Sequence, residues 1–230
     1  MNTLVVLLII AVVLVVIIPI AVAGATWYSV VAMSKPEVCL RPASEHGNPM
    51  IFNDAAAHQS WAEHEGFDWL GAYEFNTDLA KISLAVWQHA GHPTYFVLYR
   101  QPSGKVFYDL VTIFSDNEGL TSGSTKDAFM LPSAPGSFVQ SFPGVMPDVL
   151  WDRHLAAEIY LTQQCGIKTT PMTKPFEESL MNAIRRQMEY VKTIFLWPLR
   201  ANYWYFIRRS LMANRSIEQQ HQNGKLRFNQ

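Results

Sequence analysis

Twenty consecutive apolar residues, Leu4 to Ala23 (LVVLLIIAVVLVVIIPIAVA), constrain this chain more than any other feature. At about 1.5 Å of rise per residue such a run matches the roughly 30 Å hydrocarbon core of a bilayer. The first 34 residues carry no charged side chain, Trp27 and Tyr28 fall where an interfacial aromatic belt would lie, and Lys35 is the first charge. Pro19 removes one backbone hydrogen bond near the end of the run, a loss that neighbours or interfacial water can restore, so it predicts a kink within a helix. The competing reading is a cleaved signal peptide, since Ala21-Val22-Ala23 and Ala23-Gly24-Ala25 offer small residues at cleavage-like spacing. Against it, no Lys or Arg precedes the run, and the run exceeds the roughly 7 to 15 residues of a secretory apolar region. The expectation is a retained, single-pass signal-anchor. Lys35 and Arg41 follow the span and only the terminal amine precedes it, which puts the N-terminus outside and the main domain in the cytoplasm.

Charge then separates the rest of the chain. Residues 35–171 hold 8 Lys and Arg against 15 Asp and Glu, a balance of −7, whereas residues 172–230 hold 10 against 4, a balance of +6. The only cysteines are Cys39 and Cys165, too few for a zinc motif or a disulfide framework, and the cytoplasmic placement predicts both as free thiols. Five parts follow: an anchor with its interfacial belt (1–34), a linker (35–52), an α+β domain (53–171), a basic amphipathic helical segment (172–215) and a polar tail (216–230).

Within the domain, Asn53 is a candidate N-cap for a helix DAAAHQSWAEHE that stops at Gly66. The runs FDWLGAYEF, KISLAVWQH, TYFVLYR and KVFYDLVTIF read as strands joined by turns such as AGHP and QPSG. Alternation puts Ile82, Leu84 and Val86 on one face and Ala85 and Trp87 on the other, neither strongly polar, which predicts a sheet covered on one side by helices and partly on the other by a neighbouring segment or the membrane surface. Residues 115–144, rich in Gly, Ser and Pro, form a long excursion with one or two short strands, GSFVQSF the best of them; MPDVLWDRHLAAEIYLTQQCG is the closing helix. A helix, consecutive strands and a helix make an α+β fold with a mainly antiparallel sheet flanked by helices.

Chemical motifs are sparse. His89 and His92 form H-x-x-H at a hairpin turn, and without a second ligand pair a solvated turn explains them better than a metal site. His154 and Glu158, four apart on a helix, read as a surface pair. The segment GLTSGSTK lacks the residue order of a phosphate-binding loop, and Asp116-Asn117-Glu118-Gly119 lacks the alternating ligands of a calcium loop. No cofactor or metal is implied. An enzyme or small-ligand sensor would need a dispersed site, for which the His89/His92 turn and the Asp116 loop are the candidates.

The tail is more regular. Thr173 caps a helix whose stripe is Phe176, Leu180, Ile184, Met188, Val191 and Phe195, spaced for packing on the domain or in an oligomer. Pro198 restarts it into LRANYWYFIRRSL, where Tyr203, Trp204 and Phe206 suit a bilayer boundary and Arg200, Arg208 and Arg209 suit lipid phosphate. The last dozen residues are polar and read as frayed. The acidic body argues against nucleic acid. The expectation is a membrane-tethered, non-enzymatic interaction module whose partners are the bilayer and a protein or a second copy of itself.

Overall fold

The computed structural model describes residues 3–34, 40–76, 81–115, 117–170 and 174–228. Lys35, Cys39, Asp116 and Thr173, singled out above, lie outside the described residues. The N-terminal run forms α1 (Thr3–Val12) and α2 (Ile18–Ala32), joined by a π-helical turn at Val13–Ile17. Pro19 accounts for that turn: it has no N–H for the preceding turn and its ring crowds the carbonyl there, and a wider coil relieves both. The helix Thr3–Ala32 is long and apolar enough to cross a membrane, a test of length and composition that a signal sequence or a core helix of a soluble protein also passes. Its most apolar stretch is not buried at all, unlike a core helix.

Among the described residues, seven strands form one sheet in sequence order: β1 (Leu40–Pro42), β2 (Phe67–Asn76), β3 (Lys81–His89), β4 (Thr94–Arg100), β5 (Val106–Ser115), β6 (Glu118–Gly123) and β7 (Ser137–Ser141). Neighbours are antiparallel except β6 and β7, which run parallel. A parallel pair needs a crossover of about a dozen residues. Here the crossover carries a 3-10 turn, Lys126–Phe129, capped by the Thr125 side chain. The meander read from sequence is present, and β6 is the strand hidden in the Gly- and Ser-rich excursion.

Helix α3 (Pro49–His64) starts earlier than the sequence suggests, so Asn53 is not its cap. Pro49 supplies the preset first turn, and Asn48 binds Glu74 and Ser83 instead, tying the helix start to β2 and β3. Gly66, at φ +82°, ends it. Helices α3 and α4 (Pro147–Gln164) cover the face bearing Ala85, Trp87, Phe96 and Leu110, with Ile51, Leu150 and Trp151 packed onto it. Helix α5 (Phe176–Thr193) covers the face bearing Leu84, Val86, Tyr95 and Val97 through Phe176 and Met181. Helices therefore cover both faces, where β3 alone suggested helices on one and a neighbouring segment or the membrane surface on the other.

The polar tail is not frayed. Ser216 and Gln219 form a reciprocal capping box that opens α8 (Ile217–Gln222), Ile217 is fully buried, and Leu226 and Phe228 join the same cluster. Gln220 donates to the Val139 carbonyl and Asn214 N–H to that of Ser141, so this segment covers the β7 edge.

Candidate functional site

Beyond α5 the chain turns at Leu196, held at φ +52°, and Pro198 enters the first turn of α6 (Trp197–Tyr203). A π-helical turn, Trp204–Arg208, leads to α7 (Arg209–Met212). This rod lies along the second half of the N-terminal helix. Val30 packs with Ala201, Trp204, Met188 and Val191, and Asn202 Nδ2 donates to the Pro19 carbonyl at 3.1 Å. Ala23 is buried along the same side of α2, while the described side chains of α1 are exposed or half-buried. Small and medium side chains at steps of three and four let the two helices approach closely.

Beside this helix contact, and sharing Trp204 with it, the rod, the crossover and α8 enclose a cleft of about 610 Å³. Five basic side chains line it, Arg200, Arg208, Arg215, Lys225 and Arg227, with Tyr190 and Tyr203 between them, and among the described residues no carboxylate is in the lining. Two of the five are already held. Arg208 gives Nη1 to the carbonyls of Phe129 (2.9 Å) and Leu131 (3.2 Å), and its burial lowers the guanidinium below its usual range. Arg227 donates to the Tyr190 hydroxyl. The side chains of Arg200, Arg215 and Lys225 have no ion-pair partner among the described residues. Converging cations without a counter-charge raise the local potential and select anions, and guanidinium forks fit phosphate or carboxylate.

The structure divides the residues singled out in sequence. Arg200 and Tyr203 line the cleft, Trp27, Tyr203 and Phe206 are exposed, and Tyr28 is half-buried. Trp204 is not at a free surface, because it is buried between the N-terminal helix and the cleft. Arg208 faces the crossover, and Arg209 pairs with Asp127 at 2.6 Å and stacks over Tyr205 at 3.9 Å, so neither extends freely outward. Sequence reasoning missed Arg215, Lys225, Arg227 and Tyr190. The overlooked signal was Ser216-Ile217-Glu218-Gln219, a capping box around an apolar residue.

The histidines form a second constellation. His89 Nδ1 accepts the N–H groups of Gly91 (2.9 Å) and His92 (3.0 Å), which closes the β3–β4 turn. His92 Nδ1 reaches Glu158 Oε1 at 4.0 Å. His154 and Glu158 are not the surface pair expected from their spacing, because both turn inward. His154 Nδ1 meets Ser122 Oγ and its Nε2 meets Thr112 Oγ1, each at 2.7 Å, while Thr112 donates to Glu158 at 3.3 Å. Thr112 gives its one hydroxyl proton to Glu158, which fixes the direction of the chain: Nε2–H donates to Thr112, and Ser122, itself accepting from Gln140, donates to Nδ1. Burial, aided by the His92 charge, takes His154 down to about 3, and burial raises Glu158 against the opposing effects of His92 and Thr112. A neutral histidine with both nitrogens bonded inside a packed layer orders the core. Among the described residues no group of three or more His, Cys, Asp or Glu is arranged to hold a metal ion.

The chain matches no protein-family model, no curated protein and no solved structure. Function must be argued from geometry.

Proposed function

We propose that this protein is a membrane-tethered, non-enzymatic interaction module whose basic cleft takes the anionic headgroup of a lipid in the leaflet that its anchor crosses. The observation that carries this reading is position: one rod, residues 197–212, bears both the contact with the N-terminal helix and the basic lining of the cleft, with Trp204 in both, so a headgroup beside the helix Thr3–Ala32 lies within reach of Arg200. Exposed Leu199, Phe206, Ile207 and Leu211 continue the apolar surface of the span, as expected of helices seated at the same depth. The anionic leaflet is the cytoplasmic one, which agrees with the domain on that side and the N-terminus outside. The converged titratable groups around His154 satisfy one another, which favours a binding role over catalysis. A protein partner on the outer face is favoured by Met50, Trp69 and Leu70, large apolar side chains left exposed where α3 meets β2.

The test is lipid retention by the full chain purified in neutral detergent, read by native mass spectrometry after exposure to phosphatidylglycerol or phosphatidylcholine. Arg200, Arg215 and Lys225 at about 1 kcal/mol each near an anionic surface give about 3 kcal/mol, roughly a hundredfold preference for the anionic lipid. The R200Q/R215Q/K225Q variant should lose that preference, and added salt should weaken it in the parent. Equal retention by parent and variant would remove the cleft from the reading.

A further inference from the structure

A second cavity, separate from the basic cleft's lipid role, lies between α5 and the sheet. Its cause is visible in the alternation of β6: on the α5 face that strand presents only Gly119, Thr121 and Gly123, side chains too small to meet the helix. The space left is about 130 Å³, floored by Val97, Val111 and Thr121 and roofed by Phe176 and Leu180. A cavity of about 150 Å³ admits one benzene ring, so this one holds a ring or a short acyl chain. At its rim Arg186 reaches across from α5. Its Nη2 donates to Ser137 Oγ, but Nε and Nη1 are buried with no hydrogen-bond partner among the described residues. Burial lowers this guanidinium, and Glu118 acts on it as a neighbouring charge without a hydrogen bond.

A buried guanidinium with unmet N–H groups beside an apolar hollow is a costly arrangement for an empty site, and the missing group is defined by what would satisfy it. The acceptor must be anionic and planar to use the fork, singly charged because Lys174, the other cation of the lining, is already paired with Glu178, and attached to an apolar body of limited size. We propose that this cavity binds a small amphiphilic monocarboxylate, its carboxylate on Arg186 Nε and Nη1 and its apolar tail between β6 and α5. The shared chemistry covers both a soluble short-chain or aromatic acid and the free end of a lipid-derived fatty acid.

The experiment is isothermal titration of the full chain in neutral detergent with hexanoate, benzoate and decanoate, against hexanol and inorganic phosphate. Hexanoate and benzoate should bind, while hexanol and phosphate should not. Affinity that levels off at hexanoate identifies a soluble acid, and affinity that keeps rising to decanoate identifies a lipid-derived one. Losing bonds to a charged group weakens binding by about ten- to a hundredfold, so Arg186→Gln should lose at least tenfold. Thr121→Phe fills the floor and should abolish binding with Arg186 intact, which covers the case in which Arg186→Gln does not fold. Hexanol binding as well as hexanoate, phosphate competing with it, or unchanged affinity in both variants would overturn the proposal. So would binding that appears only in Glu118→Gln, since Glu118 would then be the partner Arg186 already has.

Discussion

Replacing Asp109 with Asn should make this protein acid-sensitive, because two covered groups now offset one another. His154 is fully buried and stays neutral in the folded state down to about pH 3. In the unfolded chain an imidazole titrates near 6.5, so between these values the unfolded state binds the additional proton. The His154 contribution is therefore complete above about 6.5 and declines toward pH 3, by about 1.4 kcal/mol per unit. Asp109 has the opposite sign. It lies on the α5 face of β5, and burial pushes its carboxyl up to about 7 against a hydrogen bond from Tyr99. The folded carboxyl holds a proton that an unfolded one sheds above about 3.9, so its contribution is complete below that value and is lost as the pH rises through 7. From pH 6.5 to 4.5 His154 alone removes about 2.7 kcal/mol. Asp109 returns at most a similar amount, reduced because the residue is only partly covered. The pair leaves a net change of about 1 kcal/mol or less, whereas D109N exposes the full loss of about 3 kcal/mol. Urea denaturation in neutral detergent at pH 7.5, 6.5, 5.5 and 4.5 reads this directly. Parallel curves for D109N and the parent would refute the role of Asp109. A D109N/H154Q double variant as steep as D109N would refute that of His154.

Ile217→Ala should cost about 2 to 5 kcal/mol for a fully buried side chain and should raise amide exchange in β7, whose edge α8 covers; unchanged exchange would mean that the tail is not docked in solution. Trp204→Ala should cost about 3 to 5 kcal/mol and expose residues 195–212 to protease, since its indole fills the contact with Val30; equal protease resistance would disprove that contact.

The meander was legible because each strand carries its own pattern. In β3, Leu84 and Val86 alternate with Ala85 and Trp87, and a period of two fixes both the element and its two buried faces. Strand β6 was not legible, since Glu118-Gly119-Leu120-Thr121-Ser122-Gly123 has one large apolar residue; it is a strand because it pairs on both edges, with β5 and β7. That tertiary origin also explains why its partner cavity could not be anticipated. His154 shows the reverse case: its spacing to Glu158 was visible, but which way the pair faced depended on Thr112 and Ser122, polar residues arriving from two strands. The cleft was half legible. Arg200 and Tyr203 lie on a helix whose composition advertises an interface, while Arg215, Lys225 and Arg227 reach it only because α8 folds back on β7.

The rod 197–212 serves two contacts at once. Ala201 packs on the N-terminal helix, Trp204 touches both that helix and the cleft, and Arg200, Tyr203 and Arg208 line the cleft, so one short rod fixes the distance from that helix to the cations. Trp204→Ala should then weaken lipid retention as well as docking, because Arg200 loses its fixed place even though its charge remains. The R200Q/R215Q/K225Q variant touches no group in the anchor contact, so in lipid-free detergent its rod should resist protease as the parent does. Binding energies are reciprocal: if the headgroup binds the docked rod more tightly, anionic lipid must protect residues 195–212 in the parent by the same factor. The cleft variant should show no such protection, and neither should the parent given phosphatidylcholine. Protection that is equal with both lipids would show that the rod is held by the span alone and that the cations play no part in seating it.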